Sequence, residues 1–148
     1  MNIKRINNYL LGRLFKGKDV YYSDLTIISE DNTCNYYLLS DSYFVAILDV
    51  NNTFINLEKC KYIKNMYENF IPYDSEYLYT HVTDTIMLSG KDNLRVLENK
   101  NTKILVNDKY LDLFKDCSFK SINDTKPIIC YKKGEVVGII LPVKHSNE

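Results

Sequence analysis

Hydrophobic residues recur with two different periods along this chain. Ile3, Ile6, Leu10 and Leu14, spaced by three and four, predict a helix over 3–16, with Gly17 as its stop. From 20 to 50 the period falls to two. Val20–Ser29, Cys34–Leu39 and Tyr43–Val50 read as a meander of three strands, with turns at Glu30–Thr33 and Ser40–Ser42. Asp41 and Asp49 sit at turn or strand-end positions, where a short carboxylate caps backbone amides. Leu57, Cys60, Ile63 and Tyr67 predict a helix from about Asn56 to Asn69, ending before Pro72. Ile71–Tyr79 is polar and aromatic and reads as a connection in which Tyr73, Tyr77 and Tyr79 pack over a sheet edge, the alternative being an exposed aromatic patch. Short strands follow at Thr83–Leu88, Leu94–Glu98 and Lys103–Val106. A helix is expected over Asn107–Asp116, capped by Asn107 or Asp108, with Tyr110, Leu111 and Phe114 as its apolar stripe and Leu113 at the edge. Phe119 opens a further strand, and Pro127–Tyr131 and Glu135–Leu141 form a hairpin turning at Lys132–Gly134.

These elements form the same series twice, a helix with a meander of short strands. The halves are about 1–55 and 80–148, with 56–79 as the connection. The expected architecture is one α+β domain, 1–148, with short helices packed on one face of antiparallel sheets. At 148 residues the chain is long enough to bury a core of its own.

Charge narrows the function classes. Lys and Arg number 19, Asp and Glu 19, so there is no overall basic excess and any DNA affinity must come from local asymmetry. The first helix supplies one. Lys4, Arg5, Arg13 and Lys16 fall on or beside its polar face, and no acidic residue precedes Asp19. Clustered cations of this kind mark a phosphate-facing helix, or an ordinary solvated face. The 13 tyrosines, with many Asn, Lys and Ile, suggest an AT-rich genome, a low-GC bacterium or its phage; in a β-rich chain they read first as half-buried strand residues.

Catalytic and metal-binding patterns are missing. No C-x-x-C pair occurs among Cys34, Cys60, Cys117 and Cys130, and His81 and His145 lie near none of them in sequence, so zinc is not expected. The five glycines do not form a phosphate-binding loop, and no nucleophile motif is present. The expectation is a non-enzymatic protein with no cofactor. The amino-terminal stretch lacks the apolar core and cleavage site of a signal peptide, and no run is long enough to span a membrane. A reducing, cytoplasmic setting in a bacterial host is the expectation.

The last 40 residues carry a resemblance. Lys109–Tyr110–Leu111 opens a short helix, Pro127–Ile128–Ile129 opens a strand, and Leu141–Pro142–Val143–Lys144 closes the hairpin as an apolar-Pro-apolar-basic tail. This order resembles the carboxy-terminal part of bacterial and phage DNA polymerase sliding clamps. The Ser40–Leu48 stretch, SDSYFVAIL, is similar to a segment of the same fold in the first half. The resemblance implies a DNA-clamp-like fold with helices facing DNA and sheets outside. It implies that Leu141, Pro142 and Val143 line a pocket for peptides of replication proteins. It implies that Lys4, Arg5, Arg13 and Lys16 face DNA, in at most a weak contact given the neutral net charge. A clamp subunit has three such domains, so a ring of this chain would be a homo-oligomer of several copies. The alternative, of a different class, is a phage counter-defence protein of the anti-CRISPR kind, which blocks a host nuclease complex by stoichiometric binding.

Overall fold

A computed structural model describes residues 1–144; His145 lies outside the described residues. Helix α1 (Ile3–Phe15) buries Ile6 and Leu10 and half-buries Ile3 and Leu14, the stripe that the spacing defined. Asn2 caps its start by accepting from the Arg5 amide. Its end is closed by paired backbone bonds, Lys18 N–H to Arg13 O and Gly17 N–H to Leu14 O. Gly17, at φ +75°, takes the left-handed conformation this closure needs.

Strands β1 (Tyr21–Ser29), β2 (Asn32–Ser40) and β3 (Phe44–Asp49) form the first meander. The chain then departs from expectation. No helix spans 56–69. There is instead a single 3₁₀ turn at Leu57–Lys59, a two-residue strand β4 (Lys61–Tyr62) and a five-residue helix α2 (Met66–Phe70). Two causes are visible. Backbone bonds from Lys61 to Val20 and from Ile63 to Tyr22 draw the chain along the β1 edge as a parallel strand. Asn65 then turns left-handed at φ +58°, which a continuous helix forbids.

Strands β5 (Leu78–Ser89), β6 (Asp92–Asn99) and β7 (Thr102–Asn107) follow, then helix α3 (Asp108–Leu111), capped by the Asn107 side chain. Its second turn tightens to a 3₁₀ turn at Asp112–Phe114, and this buries Leu113 along with Phe114 rather than leaving it at the edge. Strand β8 (Ser118–Ser121) leads to the hairpin of β9 (Ile128–Lys132) and β10 (Glu135–Ile140). Lys133 and Gly134 form its two-residue turn, both at positive φ.

The ten strands of the described residues join one mixed sheet in the order β4-β1-β2-β3-β10-β9-β8-β5-β6-β7. The two meanders meet where β3 pairs β10, with Ala46 opposite Gly138. Strand β5 serves two partners: Leu78–Thr80 pairs β8, and the rest pairs β6 across an irregularity between Val82 and Ile86. This bends the β5–β7 sheet so that Leu97, Ile104 and Val106 join the core beneath α1 and α3. That core also holds Phe44, Leu48, Ile128 and Ile140. A second, smaller core lies on the opposite face, where Met66 of α2, with Ile63, Tyr67, Ile71 and Tyr77, packs on Leu38, Val45, Ile129 and Ile139. The 56–79 connection thus crosses behind the sheet. Tyr77 packs there, whereas Tyr73 and Tyr79 are exposed, contrary to the expected packing of all three.

The architecture is α+β: a ten-stranded mixed sheet with few, short helices. Gly138 shows how closely its layers approach. A Cβ there would lie 2.3 Å from the Val45 carbonyl oxygen and 2.7 Å from the Phe114 ring, so only glycine fits. No helix among the described residues is long and apolar enough to cross a membrane.

Candidate functional site

Beyond β10 the tail leaves the sheet and runs across the end of the helix-side core. Leu141 N–H donates to Tyr43 O at 2.9 Å, and Val143 N–H donates to Leu105 O of β7 at 2.8 Å. The tail therefore links the start of β3 to the outermost strand of the other half. Leu141, Pro142 and Val143 are each half-buried and Lys144 is exposed. They are neither core nor free surface.

Three cavities meet at this tail. One, of about 390 Å³, is lined by all of Leu141–Lys144 with Tyr43, Asp92, Asn107, Lys109 and Tyr110. A second, of about 470 Å³, lies between Val143 and β6–β7, against Val96 and Leu105. The third, also about 470 Å³, opens behind the sheet between α2 and the β3–β10 seam; Phe44, Val45, Met66, Ile139 and Leu141 make it mostly apolar, with Ser40, Ser42 and Asn69 also on its wall. The three residues picked out from the sequence thus share the first cavity; Val143 also borders the second and Leu141 the third.

The wall of the first cavity is fixed by a carboxylate. Asp41, 1% exposed, sits in the β2–β3 turn. Its Oδ1 accepts from the amides of Tyr43 (2.8 Å) and Phe44 (3.1 Å), the cap expected from its position. Its Oδ2 accepts from two phenols, Tyr9 of α1 and Tyr110 of α3, each at 2.8 Å. One buried side chain therefore locks both helices to one turn. Burial, with the neighbouring Tyr9 hydroxyl and Asp41 carboxylate, pushes the Tyr110 phenol far above its ordinary value; burial likewise raises Tyr9. Both remain protonated donors at any ordinary pH. Tyr43 stacks on Tyr110, with centroids 6.4 Å apart, and Lys109 Nζ lies 5.0 Å from the Tyr110 ring centroid. The cavity thus has an aromatic floor, an apolar tail as its rim and two lysines, Lys109 and Lys144, at its margin. Sequence reasoning had placed Asp41 as a cap and Tyr110 in a core stripe, and joined neither to the tail.

The four cations of α1 are not drawn together. Lys4, Arg5 and Lys16 are exposed, but Arg5 lies 3.6 Å from Asp112 of the neighbouring helix. Arg13 is spent on structure: its Nε and Nη2 hold the Asp19 carbonyl at 3.1 and 2.8 Å. At about 100° per residue, Lys4 falls in a sector with Leu11 and Phe15, well around the helix from Arg5 and Lys16. The outward face of α1 is thus part apolar, with Phe15 94% exposed.

A second polar cluster fastens the connection behind the sheet. Asp74 accepts from Tyr131 Oη at 2.6 Å and from Lys120 Nζ at 3.4 Å, and Lys120 lies between the rings of Tyr79 and Tyr131. The Tyr131 hydrogen bond, then Lys120, holds the Asp74 carboxyl below its usual range. Among the described residues, no group of three His, Cys, Asp or Glu is placed to hold a metal ion.

Comparison with protein-family models, curated proteins and solved structures returned no match.

Proposed function

We propose that this is a non-enzymatic, clamp-like binding protein that captures an extended peptide of a replication protein at its carboxy-terminal tail. The observation that carries the reading is that Leu141, Pro142 and Val143 line one cavity with Tyr43 and Tyr110 and stay half-exposed. Concave, mostly apolar surface with aromatic walls and a few polar groups at its margin suits short peptide anchors. The arrangement of a helix with a meander on each side of the β3–β10 seam supports the clamp-like part of the proposal.

A displayed peptide library selected on the full chain tests it. Selected peptides should bind Val143→Asp at least roughly tenfold more weakly, since a carboxylate at the rim opposes apolar side chains. Equal affinity for the variant, or failure to select any peptide, overturns peptide capture at the tail. Size-exclusion with light scattering addresses ring closure separately. A strict monomer without salt-sensitive DNA binding removes the ring and leaves peptide capture standing. Recovery of a host defence nuclease rather than polymerase subunits in a pull-down would move the function to counter-defence.

A further inference from the structure

The end of α1 and the strand β4 form a corner with a local excess of basic residues. Arg13 holds the Asp19 carbonyl, and the Asp19 carboxylate accepts from Lys61 Nζ at 3.2 Å, so helix end and strand are tied at one point. Phe15 lies two residues from Arg13, and Tyr62 lies next to Lys61. Phe15 is 94% exposed and Tyr62 is 52% exposed, with Tyr22 against Tyr62 at a centroid distance of 5.3 Å. Across 13–22 and 58–64 there are six basic residues and two acidic ones, in a chain of zero net charge. Lys16, Lys18, Lys59 and Lys64 are all exposed. The half-buried Arg13 and the Asp19–Lys61 pair make the scaffold, and these four lysines carry the outward charge.

Exposed rings set among cations have a chemical preference. Duplex phosphates would use the lysines and leave Phe15 in water. A single strand offers both phosphates for the lysines and unpaired base faces for the rings. A helix end carrying a fully exposed phenylalanine also projects its ring away from the core, where a base can stack without rearrangement.

We infer that the corner formed by the α1 terminus and β4 binds single-stranded nucleic acid, with Phe15 and Tyr62 as stacking platforms and the surrounding lysines on the phosphates. This surface is separate from the tail cavity, and the two stand or fall independently.

Fluorescence anisotropy with labelled oligo-dT and oligo-rU of about 15 nucleotides, and a duplex of the same length, tests the inference on the full chain. The expected result is salt-sensitive binding that prefers a single strand to the duplex. Phe15→Ala, an exposed substitution that leaves the core untouched, should weaken it roughly tenfold. Lys16→Ala with Lys18→Ala should reduce the slope of log affinity against log salt by about 1.4, as expected for two phosphates on a single strand. A preference for dT or for rU identifies DNA or RNA, and either supports the site. Val143→Asp should leave this binding unchanged. No anisotropy rise at about 50 mM salt, equal binding by Phe15→Ala, or preference for the duplex overturns the inference.

Discussion

Asp41 can be tested as the joint between the helices and the sheet. Its carboxylate receives four hydrogen bonds, two from backbone amides and two from phenols, with almost no access to water. Asn at this position can keep one oxygen toward the amides but turns an NH₂ toward the two phenols, which are themselves donors. Two charge-assisted bonds are lost, and the phenols can at best turn to accept weaker, neutral bonds from that NH₂, leaving their own hydroxyl protons without the carboxylate. At about 1–1.5 kcal/mol for each bond, Asp41→Asn should cost about 2–3 kcal/mol. For a chain of this length that lowers Tm by roughly 5–10 °C. Tyr110→Phe alone removes one bond and should cost about 1.5 kcal/mol, yet close to nothing when added to Asp41→Ala. The assay is urea unfolding of the wild type, Asp41→Ala, Tyr110→Phe and their double variant, with Asp41→Asn measured beside them. The expected coupling energy between Asp41 and Tyr110 exceeds about 1 kcal/mol. Equal costs of Tyr110→Phe in both backgrounds would show that the phenol gains nothing from the carboxylate and would refute the argument.

Three further outcomes are expected. Gly138→Ala places a methyl group against the Val45 carbonyl and the Phe114 ring, and should destabilise the protein by about 1–3 kcal/mol or prevent folding, read by thermal melts and soluble yield. Val143→Pro removes the amide that donates to Leu105, so the global stability loss should be small, about 1 kcal/mol, while hydrogen exchange at the Leu141 amide and in β7 rises well above that in β9. Because the folded-state pKa of Asp74 is depressed, its contribution is fully present above the usual Asp value, about 4, and is lost as pH falls below it. Asp74→Asn should therefore flatten the acid limb of a stability-against-pH curve measured by urea unfolding, and an unchanged limb would remove Asp74 from the connection's hold on the sheet.

The legible parts of this fold were those where one local pattern points to one burial face. Ile6 and Leu10 mark the inner side of α1, and the Ile- and Val-rich runs on either side of Lys133–Gly134 mark a hairpin. The 56–69 segment was illegible for the opposite reason. Leu57 and Cys60 pack against the helix-side core, while Ile63, Met66 and Tyr67 pack on the other face. Their helical spacing is a coincidence of residues serving two cores. Tertiary pairing with β1 then decides the backbone. At the site, the tail was visible as a motif but not its surroundings. The bond between Tyr110 and Asp41 joins residues far apart in the chain, and no local pattern announces it. The basic helix face was visible too, but partners from elsewhere, Asp112 for Arg5 and the Asp19 carbonyl for Arg13, use part of it internally.

The β3–β10 seam carries a consequence for how the protein is made. During synthesis from the amino terminus, β3 leaves the ribosome with β2 on one side and nothing on the other, and stays so until residues 138–140 have been added. Phe44, Ala46 and Leu48 of that strand belong to the core, so the waiting edge is also a sticky one. The nascent first meander is therefore the moment of greatest exposure to aggregation and to chaperones. Arrival of β10 closes the sheet by its most non-local pairing, a slow step for a chain of this size. A truncation before Gly138 should then yield insoluble protein rather than a folded first half.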